Sequence, residues 1–390
     1  MTLRRTDVAY FVGLGVGLAG LLLFFWSLRV AKLGTDDFSL IWAGPRAFLL
    51  GHDPYDPATW RATAISVGQV QIPFHLIYLY PPWVVIALLP FALLSAGDAV
   101  IVWTMLGMLA AFVAMRELLH AYLPDMDWAH GIVGLLMTLS APAAITFVTG
   151  QWTFIFVAAL AAIVLFLRAR RPVTAGILSV VMLVKPPLFV FSAMGLAVRA
   201  LWPRSADART GRRFVLAATV AGIATIAISW LILPSWWPAW FEHIAVVQVG
   251  IEPVTIQTLF IQLFGPNGGW LAPPAVLVMV FAALQFDPRG DAWLPVWLTL
   301  SIAGVIYSNT YDLLLLIVPM VLAAGALSPG RRAFVVISGA VLLFFVMWYL
   351  HTIYVRGYAA GVALLMFVII TALLWPQRRA VDAQLTGSAT

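Results

Sequence analysis

Long apolar runs separated by short basic connections constrain this sequence of 390 residues more than any other feature. The first run, Val8–Leu28, is long enough to cross a bilayer, which takes about 20 residues of α-helix. Hydrophobic residues make up 63% of the chain and charged residues only 10%, whereas soluble domains carry about 25% charged residues. Because backbone polar groups in lipid must be hydrogen-bonded internally, we predict an all-α polytopic membrane protein.

Arginines at the ends of the apolar runs predict which connections face the cytoplasm. Arg4 and Arg5 precede the first run, so we place the N-terminus inside and expect no cleavable signal peptide. The net charge of +6 comes from arginines on such connections, which favours a topology signal over a nucleic-acid partner. The connections that we predict to be cytoplasmic are Arg168–Arg171, Arg199–Arg213, Arg331-Arg332 and Arg378-Arg379.

Alternation between the two faces predicts twelve crossings with both termini inside. Run 174–198 must then cross twice and fold at Lys185, which therefore comes near the outer face. The run at 83–95, flanked by Pro82 and Pro90, becomes a non-spanning or re-entrant piece. The apolar runs after the first lie at about 83–95, 99–116, 131–147, 152–167, 174–198, 214–233, 271–286, 292–307, 312–328, 333–349 and 357–375.

These assignments divide the chain into a membrane domain, residues 1–376, and a polar C-terminal tail, residues 377–390. Two connections on the outer face are large: outer loop one, residues 31–82, and outer loop two, residues 234–270. We expect both loops to carry short amphipathic helices.

Outer loop one holds a polar, turn-rich stretch, Asp36–Pro82, that is unusual in so apolar a chain. Asp36 and Asp37 begin an amphipathic pattern that includes Phe38, Ile41, Trp42, Phe48 and Leu49, which predicts a short helix ending at Gly51. Residues 51–57 then read as consecutive turns. Roughly fifty residues of polar loop require an explanation. We interpret the stretch as the catalytic loop of a membrane enzyme.

Each polar residue on the predicted outer face also has a purely structural explanation. Asp36 and Asp37 follow a threonine and could only cap a helix. The segment Asp53–Asp56 resembles an ordinary turn. Lys185 could snorkel to the membrane interface, and Asp312 could be a carboxylate at a helix N-terminus. The sequence contains no strong metal motif, no glycine-rich phosphate loop and no nucleophile elbow.

Outer carboxylates, a lone outer lysine and an apolar body together suit the transfer of a sugar from a polyprenyl phosphate. The lipid tail of such a donor needs a hydrophobic groove, and its phosphate needs a lysine or an arginine. The acceptor hydroxyl needs a carboxylate base within hydrogen-bonding distance. A fixed cation then stabilises the charge that develops on the leaving phosphate.

The stretch from Asp37 to Pro57, followed by Tyr80-Pro81-Pro82, resembles glycosyltransferase family 87. The resemblance continues through Gly150-Gln151, Ala175-Gly176 and Lys185-Pro186, and returns at Ser308–Asp312, so it spans most of the chain. The family belongs to the GT-C superfamily of membrane transferases that use polyprenyl-phosphate sugars. The resemblance implies a GT-C fold in the plasma membrane, with the active site on the extracytoplasmic face.

The resemblance also implies roles for individual residues. The general base maps best to Asp37, with Asp36 as its neighbour, and the reaction inverts the anomeric carbon of a sugar, often mannose. Some members carry histidines near Ser308–Asp312, and this chain has none there, so Lys185 or Arg46 is expected to bind the donor phosphate. The other residues that we expect to contact substrate are Tyr55, Asp56, His75, Tyr80, Gln151, Gln257, Asn309 and Asp312.

The partners expected for such an enzyme are a polyprenyl-phosphate sugar, a glycolipid or glycan acceptor, and the bilayer. No cofactor is required, although Asp36 and Asp37 could hold a divalent metal ion. Two other functions fit the same pattern: a transporter or flippase of lipid-linked sugars, and a non-catalytic assembly subunit with a GT-C-like fold. A flippase would carry charges along a path through the bilayer, and the deeper runs here are almost free of charge.

The predicted topology can be tested with introduced cysteines, because the natural chain contains none. We expect single cysteines in residues 36–80 and 234–270 to react with a membrane-impermeant thiol reagent on intact cells. Cysteines in residues 168–171 and 199–213 are expected to react only after the membrane is opened. Labelling of a cysteine at position 205 on intact cells would contradict the topology.

Overall fold

The computed structural model describes residues 4–28, 37–66, 78–201, 208–234, 238–242, 254–288, 290–305, 307–352 and 356–377. Asp36, His75 and the tail beyond Gln377 lie outside these ranges. The described residues form helices joined by short connections, and no strand occurs among them. The all-α prediction is therefore confirmed for this part of the chain.

Eighteen α-helices are named here in chain order. They are α1 (Arg5–Leu28), α2 (Asp37–Leu49), α3 (Pro57–Ser66), α4 (Pro82–Ala92), α5 (Ala96–Tyr122), α6 (Asp127–Leu139), α7 (Ala141–Thr149), α8 (Thr153–Arg168), α9 (Pro172–Leu178), α10 (Val190–Leu201), α11 (Ala208–Ile232), α12 (Ile256–Phe264), α13 (Ala272–Leu284), α14 (Trp293–Ala303), α15 (Ile317–Ala326), α16 (Pro329–Ala340), α17 (Met347–Thr352) and α18 (Ala359–Leu374). Short 3₁₀ segments cover Ser179–Val184, Pro186–Phe189, Pro266–Leu271, Thr310–Leu316, Arg356–Tyr358 and Trp375–Gln377, and a π-helical segment covers Val341–Val346.

Six helical stretches among the described residues are long and apolar enough to cross a membrane, or seven if α6 and α7, which meet at a bend of 42°, form one span. Several shorter apolar helices accompany them. This pattern agrees with a polytopic membrane protein, whereas the count of twelve crossings stays a prediction. The six stretches are Arg5–Leu23, Ala96–Tyr122, Arg209–Ile232, Pro266–Leu284, Pro329–Thr352 and Ala359–Gln377.

The helix breaks at Lys185, where the sequence predicts that run 174–198 folds, whereas the two crossings of this run stay a prediction. The 3₁₀ segment after α9 ends at Val184, and a second one begins at Pro186. Lys185 itself has a non-helical backbone (φ −138°, ψ 68°). Proline at the next two positions disfavours a helical conformation in the residue before each of them, which explains the break.

Helix α2 confirms the short helix predicted in outer loop one. Phe38, Ile41 and Trp42 are buried as expected, but residues 43–45 on the other sides are buried as well, and Leu49 is exposed near the end of the helix. The helix ends as predicted at Gly51, whose φ of 79° is left-handed and favours glycine. The amides of Gly51 and His52 donate to the carbonyls of Phe48 and Ala47, the Schellman pattern of a helix end.

Helix α4 covers the run at 83–95 and has only 11 residues. At 1.5 Å per residue it is about 16 Å long, roughly half the hydrocarbon thickness of a bilayer. Pro90 lies inside the helix, and its N-terminus is preceded by Pro81. The indole N–H of Trp42 donates to the Phe91 carbonyl (3.1 Å), which fastens α4 to α2. Alone, α4 is too short to cross the membrane.

Glycines allow α1 and α6 to approach each other closely. A Cβ atom placed on Gly13 would lie 2.1 Å from the carbonyl oxygen of Gly131, and one on Gly134 would lie 2.6 Å from that of Tyr10. Small residues at such crossings let two membrane helices touch through their backbones. Gly15, on the same helix, has no atom near the position that its Cβ would take.

We expect Gly13→Ala to destabilise the protein by about 1–3 kcal/mol, because the added methyl group overpacks the α1–α6 contact. Gly15→Ala is the matched control and is expected to be neutral or slightly stabilising, since alanine is favoured over glycine within helices. Thermal unfolding of the purified proteins in detergent measures both effects. Equal stability of the two variants would contradict the close contact.

Candidate functional site

Asp37, the first residue of α2, meets Gln151, which lies between α7 and α8. The side-chain amide of Gln151 donates a hydrogen bond of 2.8 Å to Oδ2 of Asp37. Gln151 is buried, whereas Asp37 is partly exposed. Helix α2 presents Asp37 in its first turn, where the helix dipole favours a negative charge. The structure therefore holds an oriented carboxylate at the start of α2.

Gly150 brings Gln151 to this position. Its φ of 65° is left-handed, and a Cβ atom there would lie 2.7 Å from Cβ of Phe38 and 2.9 Å from Cγ2 of Val100. The indole N–H of Trp103 donates to the Gly150 carbonyl (3.0 Å). Only glycine fits both the backbone conformation and the space. The Gly150-Gln151 pair thus forms a tight contact between the start of α2 and the end of α7.

Lys185 forms an ion pair with Asp312. The ammonium of Lys185 donates to Oδ2 of Asp312, and the two side chains are 15% and 1% exposed. The backbone N–H of Asn309 also donates to this oxygen (2.7 Å), which places Asp312 at the start of the 3₁₀ segment Thr310–Leu316. Oδ1 of Asp312 has no hydrogen-bond partner in the described part of the chain. The ammonium lies 5.2 Å and 5.1 Å from the ring centroids of Tyr307 and Tyr311, within cation–π distance.

The two pairs share one electrostatic environment. Burial raises the pKa of Tyr80, and the carboxylates of Asp37 and Asp312 raise it further. The same two carboxylates, Asp312 and Asp37, also act electrostatically on Tyr307. Helix α7, which ends at the Asp37–Gln151 contact, packs against the 3₁₀ segment that carries Asp312. The pairs Asp37–Gln151 and Lys185–Asp312 therefore belong to one site.

Aromatic rings form one wall of the site. Tyr80 lies 6.3 Å from Trp152, which in turn lies 4.6 Å from Trp103 between ring centroids. The hydroxyl of Tyr55 donates to the Tyr80 carbonyl (2.6 Å), and its ring meets the edge of Tyr78 at 5.6 Å. Tyr55 is buried, and its hydrogen bond fixes the position of the Tyr80 backbone. Burial raises the pKa of Tyr55, so its hydroxyl keeps the proton that it donates.

Of three other residues expected to bind substrate, two make contacts elsewhere and the third is exposed. Arg46 donates to the Ala92 carbonyl at the end of α4 (3.1 Å), and it lies nine residues after Asp37, about 13 Å along the helix axis. Asp56 is exposed and caps α3, because its carboxylate accepts from the hydroxyl and the backbone N–H of Thr59, which lowers its pKa. Gln257 is exposed on α12. Their roles in binding substrate stay predictions.

Two aromatic residues of the site, Tyr307 and Tyr311, were not among the sequence-based candidates. Both flank Asn309, whose side-chain amide donates to the hydroxyl of Tyr311 (2.7 Å). Tyr311 lies within the family-like stretch Ser308–Asp312, so proximity to that motif was the available signal. Their cation–π contact with Lys185 follows from a fold that joins distant segments, which no local pattern reveals.

An apolar groove begins beside Lys185. Its volume is about 520 Å³, within the range of roughly 300–1,000 Å³ that is typical of ligand pockets. Leu183 and Pro186, on either side of Lys185, line one end, and the groove continues between α8, α10 and α11. Its lining is almost entirely aliphatic and aromatic. We call it the apolar groove below.

No group of three or more His, Asp or Glu side chains suited to a metal ion occurs within the described residues. Asp36, which was considered as a metal ligand together with Asp37, lies outside them. A reaction that requires no metal stays a prediction.

The pairing of Lys185 with Asp312 predicts a specific stability pattern. We expect Lys185→Ala to destabilise the protein by about 3–5 kcal/mol, because it leaves a buried carboxylate without its cation. Adding Asp312→Asn removes that charge and is expected to restore most of the lost stability. Thermal unfolding in detergent measures the single and double variants, and Lys32→Ala, at the only other lysine, is the control. A lysine that merely snorkels would show neither the loss nor the rescue.

Comparison with known proteins identifies the family. The model of glycosyltransferase family 87 matches residues 78–308, which is more than half of the chain. No curated protein and no solved structure matches the chain significantly. The matched range includes Tyr80, Gln151 and Lys185, whereas Asp37 precedes it and Asp312 follows it. The resemblance read from the sequence is thereby confirmed: the chain belongs to glycosyltransferase family 87.

Proposed function

We propose that this membrane glycosyltransferase moves a sugar, mannose in the simplest case, from a polyprenyl phosphate to a hydroxyl of a glycolipid or glycan. Family membership establishes glycosyl transfer at the membrane. The observation that carries the finer proposal is that residues on both sides of Lys185 line the apolar groove, while its ammonium pairs with Asp312. A donor with an anionic head and an apolar tail fits this combination.

Asp37 is the general base in this proposal. The bond from Gln151 orients the carboxylate of Asp37. A carboxylate has two oxygens and about four acceptor positions, so it can accept several hydrogen bonds at once, including one from an acceptor hydroxyl. Partial exposure allows an acceptor to approach, in contrast to the fully buried Asp312. An oriented base of this kind contributes about 10²–10⁴-fold to the rate.

The reaction forms one bond and breaks one at the anomeric carbon. The acceptor oxygen attacks from the face opposite the phosphate, while its proton passes to Asp37. The bond between the anomeric carbon and the phosphate oxygen breaks, and its electron pair leaves with the phosphate, which inverts the configuration. Lys185 stabilises that charge, since its ammonium has three N–H donors and Asp312 accepts from one of them. This scheme requires no metal ion.

The apolar groove receives the first part of the polyprenyl tail. Met182, Leu183 and Pro186 line its end beside Lys185, so the phosphate and the start of the tail can be bound together. With the predicted topology, the site lies on the extracytoplasmic face of the plasma membrane, where donor and acceptor meet in one leaflet. We expect the sugar ring to pack against the neighbouring aromatic rings of Tyr80 and Trp152.

The general base can be tested with substitutions that preserve shape. Asp37→Asn is nearly isosteric and can still cap α2, so we expect a folded, inserted protein that has lost most transfer activity, about 10²-fold or more. Asp36→Asn is the control and should lose less, because the bond from Gln151 orients Asp37. Transfer is measured with the purified protein and a panel of radiolabelled polyprenyl-phosphate sugars.

The other outcomes are equally informative. If Asp36→Asn is the inactive variant, the roles of the two carboxylates are exchanged. If neither change lowers transfer more than a few-fold, Asp37 is only a helix cap and another residue is the base. No transfer from any polyprenyl-phosphate sugar by the unaltered protein would refute the proposed donor class.

A further inference from the structure

A second cavity, which is polar, adjoins the apolar groove. We call it the arginine pocket, and it lies at the end of the groove remote from Lys185. Its volume is about 280 Å³, and three arginines line it: Arg168, Arg170 and Arg199. Arg168 is the last residue of α8, a helix of 16 residues that starts beside Gln151. At 1.5 Å per residue, the pocket is about 24 Å from the candidate active site, so it serves a different purpose.

The guanidinium groups of the pocket are held by aromatic rings. Cζ of Arg168 lies 4.8 Å from the ring centroid of Tyr122, and Cζ of Arg199 lies 5.6 Å from that of Trp293. Such contacts orient the planar guanidinium, and Arg168 also hydrogen-bonds the Tyr122 side chain. A guanidinium has five N–H donors, so one that makes such contacts can also donate to an oxyanion. The described lining contains one carboxylate, Asp291, so the pocket keeps an excess of positive charge.

Arg170 occupies a backbone position at which glycine is usual. Its φ of 57° makes it the one non-glycine residue with positive φ among the described residues. The amides of Arg171 and Arg170 donate to the carbonyls of Phe166 and Leu167, so Arg170 takes the left-handed position of a Schellman helix end. An arginine there costs about 1 kcal/mol or more in backbone strain relative to glycine. The turn alone therefore does not explain why an arginine occupies this position.

The N-terminus of α11 faces the same pocket. Thr210 and Gly211, in the first turn of this 25-residue helix, are part of the lining. The first turn of a helix presents unpaired N–H groups and a positive dipole end, which together favour a phosphate. This contribution is independent of the arginine side chains.

The pocket and the apolar groove are continuous. The residues that line both are Val164, Leu167, Leu196, Phe214 and Leu294. A ligand with an anionic head and a long apolar chain would fill both, whereas free inorganic phosphate would fill only the pocket. We propose that the arginine pocket binds the phosphate of a second membrane lipid, whose chain lies in the adjoining end of the apolar groove and leaves the end near Lys185 to the donor tail.

Lipid binding to the purified full-length protein tests the proposal by native mass spectrometry. The probes are phosphatidylglycerol, polyprenyl phosphate and, as a neutral reference, phosphatidylcholine. We expect Arg168→Gln/Arg170→Gln to weaken binding of at least one anionic lipid by tenfold or more. The control is Arg212→Gln/Arg213→Gln, which removes two exposed charges from α11 outside the lining, and it should bind as the unaltered protein does.

A single substitution separates binding from folding. Glycine suits the left-handed position, so Arg170→Gly should raise the unfolding temperature and at the same time weaken lipid binding. The proposal would be overturned if both anionic lipids bound with equal strength to Arg170→Gly and to the unaltered protein. An equal loss in both double variants would also overturn it, by showing diffuse surface attraction. Binding of inorganic phosphate as tight as that of the lipids would exclude a role for the groove.

The experiment also identifies the source of the phosphate, because it shows which of the two anionic lipids needs the pocket for binding. Dependence of phosphatidylglycerol binding would assign the pocket to a bilayer phospholipid. Dependence of polyprenyl phosphate binding would assign it to the spent carrier lipid. Either result supports the site itself, and neither depends on transfer activity.

Discussion

The ion pair between Lys185 and Asp312 is the interaction on which the rest of the site depends. A charge within an apolar body is stable only if it is paired and hydrogen-bonded. Here the helix break before Pro186 presents the lysine, and the Asn309 amide fixes the carboxylate. Two tyrosine rings complete the surroundings of the ammonium. The broken helix and the 3₁₀ segment together hold one cation and its counter-ion among apolar residues.

Close backbone contacts supply the second requirement, which is fixed geometry. Gly150 allows the end of α7 to touch the start of α2, and the glycines of α1 and α6 bring the preceding helices together. Such contacts leave little freedom for the carboxylate of Asp37 to move relative to Lys185. Asp37, at the start of α2, is thereby held firmly against the neighbouring helices.

Local features of this fold were readable from the sequence, and long-range pairings were not. Helix α2, its end at Gly51 and the break at Lys185 follow from periodicity, glycine and proline within a few residues. The partners Asp312 and Gln151 lie 127 and 114 residues from Lys185 and Asp37, beyond any local pattern. Charge alone also could not show that the guanidinium of Arg46 binds a helix carbonyl.

Asp312 gives Lys185, the proposed phosphate-binding residue, a resident counter-ion. A donor phosphate that arrives at Lys185 exchanges one anion for another or shares the ammonium with it, so the charge is compensated both before binding and after departure. Tight retention of the spent carrier is thereby disfavoured, since the carboxylate competes for the same ammonium. In the transferase proposed here, this competition would lower the affinity for the spent carrier and speed its dissociation. The buried carboxylate would therefore favour turnover.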